Sequence, residues 1–194
     1  LGIGFQVAFP YMIIYINHTI GVTKTQYSLI GGVVIIGSAL LAVPLGYLTD
    51  RVNRKVMLAV SVVITSLGCF MFSLVESLPL LALAGLLWQA ANMTAGIVAN
   101  SWVKELLPVE SRGRFLGVRM IFLVLLPMLI GPRIGSSLIQ AFGSPTVLDG
   151  KPGFLPVALI FKVGALLGLL GLIPLPFIKK NLFATMEAND RPQN

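Results

Sequence analysis

Gly46-Tyr47-Leu48-Thr49-Asp50-Arg51-Val52-Asn53-Arg54-Lys55 is a short polar stretch wedged between two long apolar runs. Asp50, Arg51, Arg54 and Lys55 put four charges into six residues, in a chain where charged residues make up only 11%. A charge cluster between two helices of spanning length has to sit in water, because the hydrocarbon core of a bilayer cannot solvate it. Its three cations also decide which way it faces, since loops rich in Lys and Arg stay on the cytoplasmic side.

Composition agrees with a membrane setting. Of the 194 residues 56% are hydrophobic, and the mean hydropathy is +0.92. The apolar share of a soluble domain is roughly 45–50% even with glycine included. A formal charge of +7 suggests nucleic acid in a soluble protein. Here most of the basic residues fall in short loops, so they read as topology signals and no nucleic-acid partner is expected. Cys69 is the single cysteine and His18 the single histidine. No disulfide, His-based metal cluster or other cofactor site is therefore expected. The same counts argue against an intramembrane protease, which needs Ser with His, paired Asp, or a His-rich zinc site.

Six apolar runs can be counted, at about 1–17, 27–48, 56–75, 79–103, 115–142 and 155–178. A spanning helix needs about 20 apolar residues. The first run is slightly short and reads as cut at or inside its helix, and Pro10 is expected to kink it. Asn17-His18-Thr19 fits a glycosylation triplet but sits at a helix end and is read as chance. Gly31, Gly32, Gly37 and Gly46 are spread along the second run, where small residues let membrane helices approach closely. Pro79 suits the first turn of the fourth run. The stretch 143–153 reads as a turn-rich loop, and 181–194 as a polar tail.

Loop charges orient these runs. Arg51, Arg54, Lys55, Lys104, Arg112, Arg114, Arg119, Lys179, Lys180 and Arg191 fall on one side, and only Lys24 and Lys151 on the other. Both termini of the segment, the Asp50 loop and the Arg112 loop are therefore expected to be cytoplasmic.

The opening stretch resembles the Gly-x-x-x-Asp-Arg-x-Gly-Arg-Lys loop of the major facilitator superfamily, matched at Gly46, Asp50, Arg51, Arg54 and Lys55. Asn53 stands where the family usually has glycine, and Asn is expected to keep a left-handed turn there. Glu105, Pro108, Glu110, Arg112, Gly113 and Gly117 resemble the family's loop between the fourth and fifth helices. Gly131-Pro132-Arg133-Ile134-Gly135 partly resembles its fifth-helix glycine-proline motif, with Ser136 where a second glycine is common. The resemblance implies an all-α polytopic membrane protein, built as a six-helix half with a 3+3 inverted repeat. The half is expected to be the C-terminal one, partnered by the other half of the same chain. It implies secondary transport of a small-molecule substrate by alternating access, with no enzyme activity, in the cell (inner) membrane. It also implies a cytoplasmic gating latch carried by Gly46, Asp50, Arg51, Arg54, Lys55, Glu110, Arg112 and Gly113. These charges could instead only set topology. A receptor or scaffold of this fold, or a half-size homodimer, stays open.

Polar residues within the runs are the candidates for a substrate path. Gln89, Asn92, Gly96 and Asn100 fall within ~80° of one another at about 100° per residue, a single polar stripe. Gln6 and Asn17 share a face of the first run with Pro10, and Tyr11 and Tyr15 share another. In the resembled family the first and fourth helices line the central cavity, which makes Gln6, Tyr11, Gln89 and Asn92 its expected lining. The amides could equally bond to neighbouring helices. Arg133 and Lys162 are cations at membrane depth, a functional hypothesis by default, though both lie where they could snorkel to the interface. No Asp or Glu lies within any run.

Overall fold

The computed structural model describes residues 2–106, 112–148 and 151–177, with the side chains at 50, 104–106, 112, 148 and 151 outside that description. The first run is helix α1 (Gly2–Ala8), a 3-10 turn (Phe9–Tyr11) and helix α2 (Met12–Ile20). Pro10 causes the break, because it has no N–H to continue the α-helical ladder. Helix α2 continues past the expected end at 17. Gly21 stops it with φ of 72°, and its N–H donates to the Asn17 carbonyl at 3.0 Å. Asn17 Nδ2 donates to the Val22 carbonyl at 2.7 Å, so this amide closes a helix end.

Helix α3 (Lys24–Arg51) starts in a capping box made by Thr23 and Gln26. Helix α4 (Arg54–Met71) follows after two extended residues and ends in a 3-10 turn (Phe72–Leu74). Asn53 corrects the sequence expectation. Its φ is −57° and ψ 122°, so it makes no left-handed turn. Its side-chain oxygen instead accepts from the Lys55 N–H at 3.0 Å and caps α4. Asn is among the best N-cap residues, and the cap satisfies a donor that a left-handed turn would leave open.

Helix α5 (Leu78–Leu106) is the fourth run. The fifth comprises helix α6 (Arg112–Met120), a π turn (Ile121–Leu125) and helix α7 (Leu126–Phe142). The loop expected at 143–153 forms an antiparallel hairpin, with β1 (Pro145–Leu148) pairing Leu148 to Lys151 and Pro145 to Phe154 of β2 (Lys151–Phe154). Helix α8 (Leu159–Leu169) and a 3-10 turn (Leu170–Leu172) form the sixth run, shorter than the 155–178 expected. Among the described residues four helical stretches are long and apolar enough to cross a membrane: Lys24–Thr49, Arg54–Leu74, Leu78–Val103 and Gly113–Phe142.

Helix pairs pack in one spatial chain. Helix α3 packs on α5, α5 on α4, α4 on α8, α8 on α1, and α1 on α7. The third and sixth runs thus meet in the middle, with the fourth and first beside them and the second and fifth at the two ends. This pairing maps onto itself when runs one, two and three exchange with four, five and six. The core follows the same centre: Val7, Phe72, Val98, Ile160 and Phe161 are almost fully buried. The end helices are not. Only 11% of the apolar window of the second run is buried, and the same share of the fifth.

Glycines set the closest approaches. A Cβ on Gly4 would lie 2.8 Å from the Gly168 nitrogen, and one on Gly164 would lie 2.7 Å from the Gly4 carbonyl oxygen. A Cβ on Gly68 would lie 2.7 Å from the Trp88 nitrogen, joining α4 to α5 in the same manner.

Candidate functional site

Two cavities lie along the first and fourth runs. The larger, about 480 Å³, is polar on one side. Gln6 on α1, Asn92 and Asn100 on α5 and Arg119 on α6 line it, with Pro127 and Gly171 among its apolar wall. Among the described residues none of these four polar side chains has a hydrogen-bond partner. Amides and a guanidinium held at a cavity wall without protein partners are open to water or a ligand.

Gln6 is held in place because Gly131 leaves it room. A Cβ on Gly131 would lie 2.8 Å from the Gln6 carbonyl carbon and in contact with its Cβ. One step along, Gly135 makes room for Tyr11, whose ring would lie 2.6 Å from an added Cβ. The Tyr11 hydroxyl donates to the Pro132 carbonyl at 2.7 Å. That bond clamps α7 to the first run and places Tyr11 in the helix contact, outside the lining of either cavity.

The second cavity, about 380 Å³, is aromatic. Phe5, Phe9, Tyr27, Phe72 and Trp88 line it, and Gln89 is the amide in its wall. Phe5 stacks on Trp88 at 4.5 Å and on Phe9 at 4.9 Å, and Phe72 meets Trp88 edge-on at 5.3 Å. Phe5 lines both cavities. The polar stripe of α5 therefore divides: Asn92, Gly96 and Asn100 face the polar cavity, and Gln89 the aromatic one. Thr94 is buried off the stripe, its hydroxyl donating to the Ala90 carbonyl at 2.8 Å.

The two other expected cavity cations line neither of these two cavities. Arg133 is exposed on α7. Lys162 is exposed on α8 at an apolar groove of about 350 Å³ with Val63, Leu67 and Phe70. Arg119 was counted in the sequence only as a loop cation. It lies inside the fifth apolar run as bounded there, at 115–142, and that position was the signal available.

In the Asp50 loop, the Arg51 guanidinium sits 4.6 Å from the centre of the Tyr47 ring, one turn back on α3, and donates to its hydroxyl. A cation over an aromatic face is favourable by ~0.5–1 kcal/mol at an exposed site. Arg54 and Lys55, at the start of α4, both have interaction partners. Gly46 and Gly113 have open space where a Cβ would be. The side chains of Asp50 and Arg112, and all of Pro108 and Glu110, lie outside the described residues.

Long apolar helices, close glycine contacts and polar groups gathered at an open cavity define a polytopic α-helical membrane protein. Residues 1–191 match the family model of the Major Facilitator Superfamily, and the chain belongs to that family. It is also 30% identical over 105 residues to a Bacillus subtilis (strain 168) protein named "Uncharacterized MFS-type transporter YfiU". That alignment covers 54% of this chain and 20% of the relative.

Proposed function

We propose that the chain forms one six-helix half of a secondary transporter that moves a small solute across a cell membrane by alternating access. The polar cavity carries this reading: Gln6, Asn92, Asn100 and Arg119 line it beside the first and fourth runs, and among the described residues they have no hydrogen-bond partner. Polar groups within membrane spans are rare and cluster on substrate paths. Family membership supports transport in general, and the family is one of paired halves with nested inverted repeats. The exchange of helix pairings between runs one to three and four to six supports a 3+3 repeat here.

A second half is the partner that the end helices suit. Leu29, Val33, Ile36, Leu40 and Val43 are each more than 55% exposed on α3, at helical spacing. Gly31, Gly32, Gly113 and Gly117 have open space where a Cβ would be. Such surfaces take lipid or another apolar helix. The loop cations favour a cytoplasmic Asp50 loop in the inner membrane, and Asp50, Arg51, Arg54, Lys55, Glu110 and Arg112 are proposed to latch that side.

The test uses the full-length protein. Asn92→Cys should react with a hydrophilic thiol reagent, and Asn92→Leu should abolish uptake while inserted, folded protein is unchanged. A cysteine at Asn53 should be labelled only after permeabilisation, and one at Thr146 from outside. An unreactive Asn92→Cys would remove the cavity from the substrate path, and the reverse labelling would overturn the orientation.

A further inference from the structure

We propose that the solute is an amphipathic organic anion: Arg119 takes its anionic group and the aromatic cavity beside Trp88 takes its apolar body. This rests on the cavity reading above and goes further, since that reading fixes no chemistry for the solute. Three observations carry it. First, among the described residues lining the two cavities there is one cation, Arg119, and no carboxylate. Among the described lining residues the charge of the polar cavity is therefore positive. Arg119 is half-buried, so its charge is less screened than a surface arginine's. Second, the amides of Gln6, Asn92 and Asn100 add further donors to the same wall. Third, the aromatic cavity shares Phe5 as a wall with the polar one. Stacked Phe5, Phe9 and Trp88 make a rigid apolar face. A flat ring binds there at little entropic cost.

A guanidinium recognises carboxylate, sulfonate or phosphate groups with charge-assisted, often bidentate bonds. A soluble anion and a lipid headgroup offer the same group, so the test separates them. Binding of three isosteric probes, 2-naphthoate, 2-naphthylmethanol and 2-naphthylmethylammonium, would be measured on the full-length protein in nanodiscs of phosphatidylcholine. We expect naphthoate to bind at least about tenfold more tightly than the alcohol, which corresponds to ~1.4 kcal/mol, and the ammonium most weakly. Arg119→Gln should bring naphthoate down to the affinity of the alcohol, and Arg119→Lys should keep part of the preference. Trp88→Ala should weaken all three probes equally.

Equal binding of the three probes, or none, would overturn the proposal. So would a preference that survives Arg119→Gln. Loss of naphthoate binding when phosphatidylglycerol is added to the nanodiscs would assign Arg119 to a lipid headgroup and also overturn it. The cavity reading fails separately: a reactive Asn92→Cys with no charge preference leaves the cavity standing and removes only the anion.

Discussion

Gly164 carries no side chain because there is no room for one. Its Cβ would sit 2.7 Å from the Gly4 carbonyl oxygen, which is backbone and cannot swing aside. Overpacking of this kind costs about 1–3 kcal/mol. Gly164→Val should therefore lower the thermal midpoint of the detergent-solubilised protein. Gly96→Ala, where nothing lies within 4 Å of the new Cβ, should leave it in place. Equal losses in the two variants would mean the α1–α8 contact is not a packing constraint. The sequence showed that glycines matter but put the close approaches in the second run, at Gly31, Gly32, Gly37 and Gly46. Of these only Gly37 has a neighbour, the Leu86 side chain at 3.1 Å. A small residue in an apolar run does not say which face it lies on or what crosses it there. Gly131 and Gly135 were better marked, because the fifth-helix motif drew attention to them.

The fifth run shows how one irregular turn positions a functional group. Residues 119 and 131 are twelve apart, which in an uninterrupted α-helix at ~100° per residue separates them by about 120°. The π turn at Ile121–Leu125 takes up one extra residue and brings the angle down to about 20°. Arg119 thus comes onto the face where Gly131 meets Gln6, and both ends of the run serve the polar cavity. Pro127 maintains the irregularity, since it has no N–H to return to the Leu123 carbonyl. Pro127→Ala allows the α-helical ladder to close, turning Arg119 out of the cavity. We expect the variant to lose the preference for naphthoate as Arg119→Gln does, with the double variant no worse than Arg119→Gln alone. A retained preference in Pro127→Ala would show that the π turn does not position the guanidinium. The runs themselves were legible, because hydropathy marks length and ends. The π turn was not, since Ile121 to Leu125 reads as five apolar residues in either helix type. The hairpin at β1 and β2 was missed too: Gly and Pro mark turns without saying whether the flanking residues pair.

For the whole molecule, the proposed alternating access requires a contact that holds the cytoplasmic side closed in one state. The Asp50 loop joins α3 to α4, and α6 begins at Arg112, which the proposed orientation puts on the same face. An acidic residue in the last turn of a helix is disfavoured by the helix dipole, by ~0.3–1 kcal/mol, and a cation paired with Asp50 would offset this. Arg51 already engages Tyr47. We propose Arg112, in the neighbouring loop, as the partner of Asp50 across that face. A charge-assisted Asp–Arg bond is worth about 1.5–3 kcal/mol, and ~1.4 kcal/mol shifts a two-state equilibrium tenfold. Asp50→Asn keeps the shape and removes the charge. In the full-length protein it should therefore open the cytoplasmic side more often and slow transport without loss of folded protein. Arg112→Gln should do the same. If the two residues form one contact, the double variant should be no more open than either single one, as judged by the reactivity of a cysteine placed at Asn100. Additive increases in that reactivity would show that Asp50 and Arg112 act separately, and the loop would then serve only to orient the chain in the membrane.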